Sequence, residues 1–197
     1  MTTQEIFNII VTNADIQQAA TLLYPGITRD DYSIRCDDGV NFYVDLWNDS
    51  FGTKPTQEEL IAKAPIVYAQ MKREEINLGR NHEESLGFTY LGKVFDSDDL
   101  ALKRIGIAVH SAHAAITNGT PEAFIVNWTT QDNSVMVLDA FQMVGMPVAM
   151  AEYGMILHHH ANSLKAQVET IKTQFLNNEV DTITALTQMQ TIVWTKP

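Results

Sequence analysis

The sequence predicts an α+β fold in which short β-hairpins pack with long helices. Three observations carry this. Apolar residues recur three or four apart over long stretches, the period of an amphipathic helix. Between those stretches lie pairs of short runs rich in β-branched and aromatic residues, each pair flanking a turn-forming segment. Proline and glycine punctuate the joints. The expected layout is a small N-terminal helix-plus-hairpin unit (residues 1–55), a charged helical connector (56–86) and a C-terminal unit of hairpins and long helices (87–197).

Taken in order, Ile6, Ile9, Ile10, Ile16, Ala19, Leu22 and Leu23 predict a helix from 1 to about 24, stopped by "YPGIT". "DYSIRCDDGVNFYVDLW" then places Tyr32, Ile34 and Cys36 before a "DDG" turn and Val40, Phe42 and Val44 after it. Glycine supplies the positive φ that tight hairpin turns need. "TQEEL" is a capping box, with Thr56 accepting from the amide three residues on and Glu59 reaching back. Pro65 lacks an amide proton, which predicts a short helix, a break, and a second helix from about 66. That helix, "QMKREEINLGRNHEES", is mostly charged and is expected to be mostly solvated up to Gly87. "FTYLGKVF" is a second hairpin with Gly92 in its turn. Asp96 or Ser97 is the expected cap of the next helix, through "LALKRIGIAVHSAHAAI" to "NGTP". "FIVNW" and "SVMVL", separated by "TTQDN", are expected to form a third hairpin or a pair of neighbouring strands. From 140 to 176 runs the longest helical pattern, with Pro147 expected to kink it or mark its true start. Its first half is apolar nearly all round, which predicts burial on several sides. "DTITALTQMQTIVW" closes the chain as a helix capped by Asp181 or Thr182, with Trp194 as an anchor.

Composition narrows the function classes. With 45% hydrophobic and 19% charged residues over 197 positions, the chain is of ordinary globular character. Apolar runs are short and interrupted, so no membrane insertion is expected. "MTTQEIFNIIVTNAD" lacks the basic start and apolar core of a signal peptide. Cys36, the single cysteine, has no partner within the chain and suits a reducing cytoplasm. A net charge of −11 repels phosphate backbones, and no basic stripe interleaved with aromatics is present. No nucleic-acid partner is expected.

Histidine is the chemistry most visible in the chain. His158, His159 and His160 are consecutive, so on a helix their side chains fan about 100° apart and do not converge on one ion. Their neighbours four residues away are Asn162, Ser163, Leu164, Gly154, Met155 and Ile156, none a good ligand. The triplet reads as a crossing from a buried to a wet face. His110 and His113 share a face at i, i+3, but a metal site there needs ligands from elsewhere. His82 sits in a charged run. "DSDD" fails as a calcium loop, since the sixth and twelfth positions are Ala101 and Ile107 where glycine and glutamate are required. Asp30–Asp31 and Asp37–Asp38 fall beside turns, where aspartate serves the backbone. No nucleophile elbow, Walker sequence or dinucleotide fingerprint occurs. No catalytic residue, cofactor or metal is therefore assigned.

"KREEINLGRNHEESLGFTYLGKVFDSDDLALKRI", "VNWTTQDNSVMVLDAFQM", "LHHHANSLKAQVETI" and the terminal "TIVW" follow one another in order. Together they resemble a domain family of uncharacterised function that recurs at the C-terminal end of bacteriophage tail and tail-fibre-associated proteins, over about residues 72–197. "LWNDSFGTKPTQEELIAK" is similar to a short element of small tail-assembly proteins. Pro147 departs from the family, which more often has a small residue there, and two of the three histidines are extra. The resemblance transfers no catalytic residue. It implies a non-enzymatic tail component in the virion, assembled in the bacterial cytoplasm. Its partners would be other tail, baseplate or fibre proteins, and the chain a homo-oligomer. An assembly chaperone absent from the finished particle fits the same residues, and a metal-dependent binder using His110 and His113 is the third possibility.

Met143, Met146, Met150 and Met155 suit either an interior or an interface, and an interior is expected because methionine fills irregular cores. Leu157, Ala161, Leu164, Val168, Ile171 and Phe175 form a stripe that suits either a short coiled-coil seam between identical chains or packing within the chain; with fewer than three full heptads, packing within the chain is expected.

Overall fold

The structure, a computed structural model, describes residues 23–28, 30–36, 42–56, 59 and 62–197. The expected first helix, but for its last two residues, and the "DDG" turn at 37–39 lie outside the described residues. The fold is α+β, as the sequence predicts. Described strands form three two-stranded antiparallel sheets: β1 (Tyr32–Cys36) with β2 (Phe42–Trp47), β3 (Phe88–Tyr90) with β4 (Lys93–Phe95), and β5 (Ile125–Thr129) with β6 (Val135–Asp139). The described helices are α1 (Ala64–Ser85), α2 (Asp99–Thr117), α3 (Ala140–Leu176) and α4 (Thr182–Gln190).

Two compact units result, and they are drawn differently from the linear partition 1–55, 56–86 and 87–197. One comprises residues 1–76 and 163–193, the other 77–162 and 194–197. The reason lies in helix length. At 1.5 Å per residue, α3 is roughly 55 Å long, more than one small core needs, so its two halves serve different units. Likewise α1 belongs to one unit up to Ile76 and to the other from Asn77.

In the first unit, Ile27 and Tyr32 are buried beneath Tyr24, Trp47 and Phe51. Tyr24 meets Trp47 edge-on at 4.7 Å, and the indole Nε1 donates to Gly52 O at 2.8 Å. The Thr56–Glu59 capping box forms as expected. Thr56 N donates to Glu59 Oε2 at 2.8 Å and Glu59 N to Thr56 Oγ1 at 3.2 Å. Pro65 is the second residue of α1, where its missing amide proton is harmless. Ala64 and Val67 pack with Leu186 of α4. The segment expected to be mostly solvated, residues 70–85, buries only Lys72 and Ile76, while the turns before it are covered at Pro65, Val67 and Ala69. Lys72 lies inside despite its charge. Its Nζ donates to Ile192 O at 3.1 Å and pairs with Glu75 at 2.9 Å, which satisfies the ammonium where water is excluded.

The second unit holds the larger cluster of buried residues, with Phe88, Phe95, Ile105, Ala112, Leu138, Ala140, Met143 and Met146 at its centre. Phe88 and Phe95 face each other in register and stack at 5.9 Å, with Tyr90 edge-on to Phe95. Leu91 and Gly92 both take positive φ in the turn. The cap of α2 is Asp98, one residue beyond Ser97: Asp98 Oδ1 accepts from Ala101 N at 2.7 Å. Ser97 is engaged elsewhere, its hydroxyl donating to Glu84 O. Asp139 opens α3 in a reciprocal pair with Gln142, at 2.8 and 3.0 Å. Pro147 lies inside α3. Asp181 caps α4, accepting from Thr184 N at 2.7 Å.

Candidate functional site

The histidines fan apart, as consecutive helical residues must. His158 is exposed and pairs with Glu84 at 3.0 Å, with Arg80 Nη1 3.4 Å from its other nitrogen. His159 faces solvent. His160 turns inward to meet Trp194 edge-on at 5.1 Å. Trp194 lies against Gly79, where any side chain would collide with the indole, so the anchoring role expected of Trp194 is real. Lys196 pairs with Glu83 at 3.1 Å and sits 6.0 Å from the Tyr153 ring centre. His82, His110 and His113 are exposed. Among the described residues, no group of three or more histidine, cysteine or acidic side chains is arranged to hold a metal ion. Cys36 ends β1 opposite Phe42.

One acidic side chain is the hub of a polar knot. In the turn joining β5 to β6, Asp132 Oδ1 accepts from Thr130 Oγ1 (2.6 Å), Ser134 N (3.0 Å) and Ser134 Oγ (2.6 Å). Its Oδ2 meets Lys93 Nζ at 2.8 Å, tying this turn to that of β3–β4. Gln131 reinforces the junction through Val94 O at 3.0 Å and Leu86 O at 3.1 Å. The Lys93 ammonium, then the Ser134 and Thr130 donors, hold the Asp132 carboxyl well below its ordinary value of 3.8. A depressed carboxyl contributes stability fully above the unfolded value and loses it as pH falls toward the folded one. Thermal melts of the protein are therefore expected to weaken on acidification below about pH 4, and Asp132→Asn to flatten part of that dependence. An unchanged acid limb in the variant would show that the knot carries no stability. The arrangement is structural: every oxygen is committed to holding two turns together.

The outer surface of the second unit is where apolar side chains stand free of the core. On α3, Phe141 is 63% exposed, Val148 58%, Met155 64% and Ile156 55%. Phe141, Val148 and Met155 repeat every seven residues. Ala151 between them is exposed too, whereas Val144 is half-buried against the core. Met143, Met146 and Leu157 lie roughly opposite, about 150° around the axis at 100° per residue, and are fully buried. The expectation of burial on several sides of this half-helix therefore fails. Only one side has a core to enter: of the four methionines, Met143 and Met146 are fully buried, Met150 packs part-buried against the same core, and Met155 alone stands outside it. The downstream stripe behaves as expected, with Leu157, Ala161 and Val168 buried. The β5–β6 hairpin repeats the pattern. Val126, Trp128, Met136 and Leu138 turn toward the core, while Ile125, Val135 and Val137 are each more than half exposed on the other face. These outward residues were missed because composition alone suggested an interior. No spacing in the sequence separates the two faces, since Met143, Met150 and Leu157 on the core side repeat every seven residues as Phe141, Val148 and Met155 do on the other.

α3 is also long and apolar enough, by length and composition, to meet the minimum for crossing a membrane. Its sides differ, however. One is covered by this chain's own core, and the half beyond His158 carries Lys165, Glu169 and Lys172. A bilayer requires about 20 predominantly apolar residues along the span.

Comparison with known proteins adds one match. The family profile described as "Domain of unknown function (DUF4376)" covers residues 67–187, more than half of the chain, from the start of α1 into α4. No curated protein and no solved structure matches the chain. With most of α1 and α4, all of α2 and α3, and the β3–β4 and β5–β6 hairpins inside the matched segment, the chain belongs to the DUF4376 family.

Proposed function

We propose that this protein is a non-enzymatic component of a bacteriophage tail, at the baseplate, the tail fibre or the fibre attachment, working by contact with other proteins. The observation that carries the contact role is the set of apolar side chains on the outer surface of the second unit, on α3 and on β5–β6. Exposed apolar area gathered on one element marks an interaction site more often than chance scatter does. Aromatic and methionine side chains such as Phe141 and Met155 are those that interface centres favour. The tail setting rests on the sequence resemblance of residues 72–197. Groups that might serve catalysis have structural work. Asp98, Asp139 and Asp181 cap helices, and Asp132, Thr130 and Ser134 close a turn.

Peptide mass spectrometry of purified, intact particles tests the reading. A structural component is expected at a copy number matching the symmetry of the tail. Detection only in lysate of infected cells would make the protein an assembly chaperone, and the fibre it escorts would then be its partner. Absence of the protein from phage-infected cells would remove the tail setting altogether.

A further inference from the structure

We infer that the outward face of α3 formed by Phe141, Val148, Ala151 and Met155 is a self-pairing seam that takes the same face of a second copy of this chain. It rests on reading the outer surface of the second unit as an interface, and needs nothing from the tail setting.

Three features point to a second copy. The first is spacing. Phe141, Val148 and Met155 repeat every seven residues, the period by which two helices interlock, and a two-fold at Val148 sets this exposed face against itself. The second is charge. The chain carries −11, so association of two copies is opposed nearly everywhere, yet Glu152 is the only charged residue from 140 to 157. An antiparallel two-fold centred on Val148 keeps the two Glu152 side chains about 12 Å apart along the axis, whereas a parallel pairing would bring them level. Antiparallel is therefore the geometry of the seam, with Phe141 of one copy beside Met155 of the other. The third is area. Phe141, Val148, Ala151, Met155 and the flanking Ile156 expose roughly 500 Å² per copy, so two copies bury at most about 1,000 Å², the lower end of what a specific though weak interface needs.

A lipid surface fits the same stripe less well. The stripe is narrow, the opposite side of the helix is sealed by Met143, Met146 and Leu157, and the chain's net charge repels anionic membranes.

The test is analytical ultracentrifugation of the full chain, wild type and Val148→Glu, with Ile125→Glu on the β5–β6 face as control. Wild type and the control are expected to sediment as dimers at ~50 µM. Val148→Glu sets two carboxylates face to face at the two-fold and is expected to raise the dissociation constant about 100-fold or more. Because Val148 is outside the core, the far-UV circular dichroism of the variant should match wild type. A wild-type monomer at that concentration, or a dimer that Val148→Glu leaves intact, overturns the seam. So does flotation of wild type with neutral phosphatidylcholine vesicles that Val148→Glu abolishes, which would assign the stripe to lipid.

Discussion

Gly87→Ala is expected to lower the unfolding free energy by about 3–5 kcal/mol, read as a shift of the urea midpoint, although a single methyl group is all that is added. Gly87 follows the end of α1 at φ +88, a backbone state that costs an L-residue roughly 1–2 kcal/mol. Strain is the smaller part. The new Cβ would drive into the carbonyl oxygen of Phe95, which cannot swing aside as a side chain can, and Val94 Cγ1 stands 3.2 Å away. Relief requires β4 to move as a body, and β4 carries the fully buried Phe95. Gly92→Ala is the control: it has a similar positive φ, +77, with nothing near the added atom. It should cost only the strain, about 1–2 kcal/mol. If both variants lose the same amount, the close approach of Gly87 to β4 is not energetically real.

Phe95→Ala should be comparably damaging, by about 3–5 kcal/mol, for an independent reason. The ring is entirely buried and contacts Phe88 at 5.9 Å and Tyr90 at 6.1 Å, so its removal leaves a cavity between two aromatic groups. Neither neighbour is free to fill it. Phe88 is fixed opposite in register, and Tyr90 is held by its hydroxyl donating to Gln142 O at 2.8 Å. Phe95→Leu retains most of the volume and should lose about half as much. A loss below about 1.5 kcal/mol for the alanine variant, again from urea unfolding, would mean that the site collapses readily and that the second unit is organised elsewhere.

Both variants act on the hairpin that the sequence displayed most openly. "FTYLGKVF" shows its turn glycine and its paired aromatics in eight residues, and the structure uses each as expected. The same is true of the Thr56–Glu59 box and the Asp181 cap, because capping needs only groups within three residues of one another. Asp98 in place of Ser97 shows where such local reasoning stops. Both residues can cap, and the choice fell to Asp98 because Glu84 O, thirteen residues away, is there to receive the Ser97 hydroxyl.

Site chemistry followed the same division. That His158–His160 fan apart was legible from helical geometry; that His160 faces Trp194 was not, since the contact spans 34 positions. The outward stripe of α3 was hidden for a different reason. A half-helix apolar all round gives no sign of which face its own core will claim.

The sequence by itself determined the fold class, the β3–β4 hairpin, the caps at Thr56 and Asp181, and the exclusion of familiar nucleotide and calcium motifs, because these depend on φ preference, periodicity and hydrogen bonds of short reach. Only the tertiary structure decided that residues 163–193 join the N-terminal unit, that Lys72 is buried, and that Phe141, Val148 and Met155 are left outside. Those outcomes depend on which surfaces meet. Burial free energy is set by area removed from water and not by position along the chain, so a residue's own sequence neighbourhood cannot fix it.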